Sequence, residues 1–215
     1  VAISVALKAS NIKFGDEILI SSLTYHTTAS AALELGIKPN FLDINANTLC
    51  LDINTIKKNI SKKTKALILV HLGSMISNID EIAKICKKKK ITLIEDCSHV
   101  HGSRWNNKGV GTYGDMSVFS FHQQKNMTTL GEGGMLVVNN KKFQKYIPGL
   151  RHNGHRAYAN KKKYWKPAMV DVYEDLNGVT PFNFPMTEIQ AFVGYNLLDR
   201  VKKLNTTRNQ RANKI

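Results

Sequence analysis

KALILVHLGSMISNIDEIAKICKKKKITLIEDCS, residues 65 to 98, places one helical pattern between two apolar runs. Ala66 to Val70 and Ile91 to Ile94 are apolar at successive positions, so both faces of each run need cover, as in the central strands of a parallel sheet. Between them, NIDEIAKICKKKK carries its apolar residues at helical spacing. Its four closing lysines, Lys87 to Lys90, sit where the helix should end, solvated and opposed to the negative end of the helix dipole. Strand, crossover helix and strand form the unit from which parallel sheets are built.

The same alternation continues outward. Upstream, GDEILIS, TTASAALELG, KPNFLDI and INTIKKNIS read as strand, helix, strand and helix, and downstream MSVFSF (Met116 to Phe121) and MLVVN (Met135 to Asn139) read as further strands. The expected fold is therefore α/β, a mostly parallel central sheet flanked by helices. A helical pattern is already under way at Val1, Val5 and Leu7 with no cap before it, so the chain reads as beginning inside an element. KKFQKY is helical, and Pro148 to Phe184 reads as an extended, loop-rich excursion. A final helix is expected from about Thr187 to beyond Lys203, with an apolar face at Ile189, Phe192, Val193, Leu197 and Val201. No repeat and no linker divides the chain.

With 215 residues, 42% of them hydrophobic, the chain can bury one large core. Three widely spaced cysteines, Cys50, Cys86 and Cys97, form no C-x-x-C pair, which argues against a disulfide framework and for a reducing, cytoplasmic setting. No apolar run is long enough to cross a bilayer, VAISVALKAS lacks the pattern of a signal peptide, and no membrane partner is expected. The N-x-S/T matches at Asn59, Asn126 and Asn205 then read as chance. The net charge of +15 comes without aromatic interleaving or an RNA-binding signature, so it reads as solvated surface and compositional bias, with no nucleic acid partner.

Three constellations compete for the chemistry. GVGTYG, Gly109 to Gly114, matches a dinucleotide fingerprint by letter, but it follows the polar RWNNK and leads into a strand, so it reads as a turn between extended segments. CSHVH would align Cys97, His99 and His101 on one face of an extended segment and suggests a metal site to which His71, His122, His152 or His155 could add a ligand, a minority reading without a pair of short-spaced thiols. The third reading joins Asp96, which closes the strand ITLIE, to Lys125, just beyond the strand in FSFHQQKN. In open α/β sheets the ligand crevice lies outside the carboxyl ends of the strands. A fixed carboxylate and a primary amine there suit pyridoxal 5'-phosphate: lysine forms the Schiff base and moves protons, while aspartate keeps the ring nitrogen protonated.

EDCSHVHGSRWNNKGVGTYGDMSVFSFHQQKNMTTLGEGGMLVVNN resembles the core of the DegT/DnrJ/EryC1/StrS aminotransferases. The likeness extends through GDEILISSLTYHTTASAALELGIKPNFLDIN and KTKALILVHL upstream and NFPMTEIQAFVGYNLL downstream. It implies the large domain of a fold type I enzyme, spanning 1–215 as a single domain incomplete at both ends. The family's Gly-Thr phosphate loop is expected before Val1, and its smaller C-terminal domain after Ile215. The implied reaction moves an amino group from glutamate or glutamine to a nucleotide-linked keto-sugar or a cyclitol ketone.

Roles follow from the same resemblance. Lys125 matches the Schiff-base lysine, Asp96 the partner of the pyridine nitrogen, and His99 a residue near the phenolic oxygen. Tyr25, in SLTYHTT, matches the aromatic that stacks on the ring. Ser120 matches a phosphate contact, and Asn183, in FNFPMTEIQ, matches an asparagine reaching the phosphate from a neighbouring subunit, which implies a homodimer with shared sites. Sugar dehydratases of this fold carry histidine in place of the lysine, so Lys125 favours amine transfer. Two departures stand out: HLGSMISNID replaces a glycine and proline pattern, and Pro185 stands where many members have arginine near the substrate. The missing phosphate loop and C-terminal domain motivate a rival reading, a catalytically incomplete remnant acting as a binding or structural domain.

Overall fold

The computed structural model describes residues 1–76, 78–155, 176 and 178–214. The alternation read from residues 65 to 98 is present as β3 (Thr64–Val70), α4 (Ile79–Lys89) and β4 (Thr92–Asp96). Before them come α1 (Ala2–Ala9), β1 (Glu17–Ser21), α2 (Thr27–Leu33), β2 (Lys38–Leu42) and α3 (Ile53–Asn59). After them come the short antiparallel pair β5 (Arg104–Trp105) and β6 (Lys108–Gly109), then β7 (Met116–Ser120) and β8 (Gly134–Val138). The main sheet has the order β2-β1-β3-β4-β7-β8. All its pairings are parallel except that of the edge strand β8, which returns antiparallel beside β7.

Strand geometry sends successive side chains to opposite faces, and the core divides accordingly. Ile18, Ile20, Ile68, Ile94 and Val118 pack with Val5, Leu7 and Ala32 on the α1 and α2 side. Leu19, Leu67, Leu69 and Leu93 pack with Ile56, Ile79, Ile82 and Cys86 on the α3 and α4 side. Burying one such side chain is worth about 1.5–3 kcal/mol, so two apolar layers commit β3 and β4 to the centre of the sheet. α4 stops where Lys90 takes a left-handed φ of 57°, and GVGTYG is the turn between β6 and β7.

The C-terminal helix departs from expectation. It is two helices, α7 (Glu188–Leu198) and α8 (Val201–Ala212), meeting at Asp199 and Arg200. Its inward face is Gln190, Val193, Gly194, Leu197 and Val201, while Ile189 and Phe192 are 69% and 70% exposed. The physical reason is that Gly194 lets α7 approach Thr129, where a β-carbon would lie 2.9 Å from Cγ2, and Gln190 donates to the Glu132 carbonyl at 2.9 Å. The expected helix KKFQKY is α5 (Lys141–Gln144), and the excursion expected from Pro148 to Phe184 opens instead on a helical turn, α6 (Ile147–Arg151), whose first turn carries Pro148, a residue suited to that position. Residues 152–155, 176 and 178–184 contain no helix or strand longer than an isolated bridge, and the part of that expectation at residues 156–175 and 177 lies outside the described residues.

Candidate active site

Because β1, β3, β4 and β7 run parallel, their carboxyl ends share one edge of the sheet. Asp96 is the last residue of β4 and Ser120 the last of β7. Asp96 is buried, and its Oδ1 accepts the Ser98 N–H at 3.1 Å. Ser120 Oγ accepts the His122 N–H at 3.3 Å, in the turn that leads to Lys125. From there Lys125 Nζ reaches His99 Nε2 at 2.8 Å, across 26 residues of sequence.

His99 joins the two charged groups. Burial first, and next the positive charge that Lys125 can carry, press its pKa below the ordinary histidine range, while Asp96 pulls the other way. The turn after β3 holds it: the Gly73 N–H donates to Nδ1 at 3.0 Å, and Ser74 Oγ donates to the His99 carbonyl at 2.9 Å. An amine, a buried carboxylate and a polarised imidazole thus meet at one edge.

Tyr25, an exposed residue, lies in the loop after β1 at the same edge, with its ring centroid 4.3 Å from that of His26. Asn183 is exposed and bridges His152. The structure brings together Lys125, His99 and the end of β4; Tyr25 shares their edge, and Asn183 is held by the segment around α6.

The alignment of Cys97, His99 and His101 does not occur. The segment leaves the extended conformation after Asp96 and turns through Ser98 and His99, so its side chains diverge. Cys97 enters the α4-side core, where burial drives its thiol pKa far above the usual range. His101 packs against Phe119 and Phe121, with ring centroids 5.7 and 5.9 Å away, and its carbonyl accepts from Asn205 Nδ2 in α8 at 2.7 Å.

Glu95, His71 and Cys97 do converge, with ligand atoms within 4.8 Å of one another. The carboxylate is already engaged: Glu95 Oε1 accepts the N–H groups of Tyr113 and Gly114 at 2.7 and 2.6 Å, and Oε2 accepts that of Gly111 at 2.9 Å. His71 Nε2 lies 3.3 Å from Oε2. The glycine-rich turn GVGTYG is therefore a cradle for an internal carboxylate. Its glycines are needed: Gly111 has φ +95°, and a β-carbon on Gly114 would lie 2.8 Å from the Leu93 carbonyl. The cradle ties β4 to the start of β7, the two strands that carry Asp96 and Ser120.

Sequence reasoning named His71 only as an added metal ligand and passed over Glu95, Gly73 and Ser74. One signal was available for Glu95, an acidic residue inside the otherwise apolar run ITLIED.

The sequence pattern of the DegT/DnrJ/EryC1/StrS aminotransferase family matches residues 1–215. The chain belongs to that family. Among its relatives, the GDP-perosamine synthase of Escherichia coli O157:H7 is 35% identical over 200 residues, 93% of this chain and 51% of that protein. A putative L-glutamine:3-amino-2,3-dideoxy-scyllo-inosose aminotransferase of Micromonospora echinospora is 32% identical over 212 residues, 99% of this chain and 48% of that protein. The X-ray structure of the aminotransferase from Psychrobacter cryohalolentis superposes with a TM-score of 0.80 at 31% identity, covering 93% of this chain and 49% of that one. The chain spans about half the length of the curated relatives it matches. Within the DegT/DnrJ/EryC1/StrS family its sheet is that of the fold type I enzymes.

Proposed function

We propose that the chain carries the cofactor-binding domain of a pyridoxal 5'-phosphate-dependent aminotransferase, with 1–215 as one large domain. Its reaction takes an amino group from glutamate or glutamine to a keto-sugar, nucleotide-linked as in the perosamine synthases, or to a cyclitol ketone. The observation that carries this reading is the Lys125 amine 2.8 Å from His99 at the sheet edge where β4 ends on buried Asp96. The donor set fits the cofactor. Among the described residues, the Asp96 side chain has a hydrogen bond only at Oδ1, which leaves its other oxygen for a protonated ring nitrogen.

When bound, the cofactor supplies an electron sink that stabilises negative charge at the carbon losing its proton. Lys125 would hold the cofactor covalently through its amine, and the same amine would move protons at the reacting carbons. Asp96 would set a negative charge beside the ring nitrogen, and His99 orients the amine. Tyr25 offers an open ring face for stacking, and Ser120 a hydroxyl for the phosphate. The donor's C–N and C–H bonds become C=O while the acceptor's C=O becomes C–N and C–H, so no external oxidant is required.

Asn183 would serve the phosphate of a neighbouring subunit, in a homodimer with shared sites. Exposed Ile189, Phe192, Tyr195 and Leu198 on α7 support such an assembly. A cytoplasmic setting agrees with three buried cysteines, Cys50, Cys86 and Cys97, that form no disulfide. Among the described residues no helix is long and apolar enough to cross a membrane.

The reading is tested by supplying glutamate, then glutamine, with keto-sugar nucleotides to the full-length protein and following the amino product by mass spectrometry. Product formation that depends on pyridoxal phosphate supports it. Turnover of the ketone without nitrogen gain would overturn it.

A further inference from the structure

His99 is bonded on both ring nitrogens, and the two bonds constrain each other. A peptide N–H can only donate, so the Gly73 N–H at 3.0 Å requires an unprotonated Nδ1. A neutral imidazole carries one proton. It must therefore sit on Nε2, the atom 2.8 Å from Lys125 Nζ. The Gly73 contact is not incidental. It lies in the turn Leu72–Ser74, where Gly73 and Ser74 both adopt left-handed φ of 58° and 67°, and Ser74 Oγ fastens the His99 backbone from the same side. This turn belongs to HLGSMISNID, the segment that departs from the pattern of the resembling family.

We propose that the Leu72–Ser74 turn is a positioning device that locks His99 in the Nε2–H tautomer, so that the ring meets Lys125 as a hydrogen-bond donor and Lys125 Nζ accepts as an amine. A histidine free to rotate could instead offer a lone pair to a charged ammonium. With Nδ1 held by a peptide N–H that option is closed, and a doubly protonated ring would set N–H against N–H. Burial of His99 acts in the same direction, since it disfavours the charged ring. The consequence for chemistry rests on the role proposed above for Lys125: the amine, not the ammonium, adds to an aldehyde carbon.

The test uses the full-length protein without cofactor, labelled with 15N at histidine, the His99 signals being assigned by their loss in His99→Gln. The expected spectrum at neutral pH has a directly bonded proton on Nε2 and none on Nδ1. A proton on Nδ1, alone or on both nitrogens, would overturn the proposal.

Two substitutions add a second readout, the rate at which pyridoxal phosphate attaches to Lys125, followed by absorbance. Gln presents one acceptor and one donor on its amide and should slow that rate less than Glu does. His99→Glu, with acceptors only, should slow it about tenfold at neutral pH, the scale of one lost hydrogen bond. Equal rates for Gln and Glu variants would contradict the lock. An Nε2–H ring in a protein that attaches no cofactor would uphold the lock and overturn the function proposed for Lys125. Attachment with an Nδ1–H ring would overturn the lock alone.

Discussion

His71 Nε2 and Glu95 Oε2 lie 3.3 Å apart, with side chains 1% and 0% exposed, beneath the strand end that carries Asp96. Glu95 also receives three backbone N–H groups from the turn before β7. Removing the carboxylate leaves four donors without an acceptor in the interior. Glu95→Ala is expected to destabilise the fold by about 3–5 kcal/mol. Urea unfolding should show a lower midpoint at unchanged slope; a midpoint within error of the parent would show that the cradle does not matter to stability.

The same carboxylate fixes an acid limit. Burial alone would raise the Glu95 pKa, but the His71 hydrogen bond and the N–H groups of Gly114 and Gly111 outweigh it and hold the value below the usual glutamate range. A group with a depressed folded-state pKa contributes stability above its unfolded pKa, about 4.3, and loses it as pH falls through the folded value. Melting temperature should therefore drop below about pH 4.3 in the parent, and Glu95→Gln should flatten that drop. An equal drop in both proteins would assign the acid limit to other groups.

Gly114 has no room for a side chain beside the Leu93 carbonyl, with a β-carbon 2.8 Å away, and its N–H is one of the Glu95 donors. We expect Gly114→Ala to cost about 1–3 kcal/mol through displaced backbone. Gly131 has φ +107° but open space around it. Gly131→Ala should thus show backbone strain alone, and thermal unfolding of the two variants separates crowding from strain.

Phe192 is 70% exposed and Ile189 69% exposed, on adjacent turns of α7. If these residues meet a second subunit, Phe192→Lys should shift the full-length protein toward monomer in sedimentation and leave the melting temperature of the isolated subunit nearly unchanged. An unaltered sedimentation coefficient would separate α7 from the dimer contact.

The centre of the sheet was legible because Ala66 to Val70 and Ile91 to Ile94 are apolar on both faces, a pattern with few structural solutions. Lys125 and Asp96 were legible for a related reason, since each is a charged residue placed at or just beyond a strand end. The inward face of the C-terminal helices was legible only at Val193, Leu197 and Val201, because Gly194 and Gln190 hold the rest by close approach and by a backbone hydrogen bond, neither of which an apolar count registers. CSHVH misled because alternation implies one face only while the chain stays extended, and the strand ends at Asp96. The roles of Gly73 and Ser74 depend on a contact 25 or 26 residues away in sequence, which no local pattern encodes.

The central claim is that Lys125 is the residue to which pyridoxal phosphate attaches. Full-length protein loaded with the cofactor is reduced with borohydride, digested and analysed by mass spectrometry, with Lys125→Ala treated in parallel. A modified peptide spanning Lys125 is expected in the parent and no modified lysine in the variant. Modification of another lysine in both proteins, with Lys125 unmodified, would contradict it.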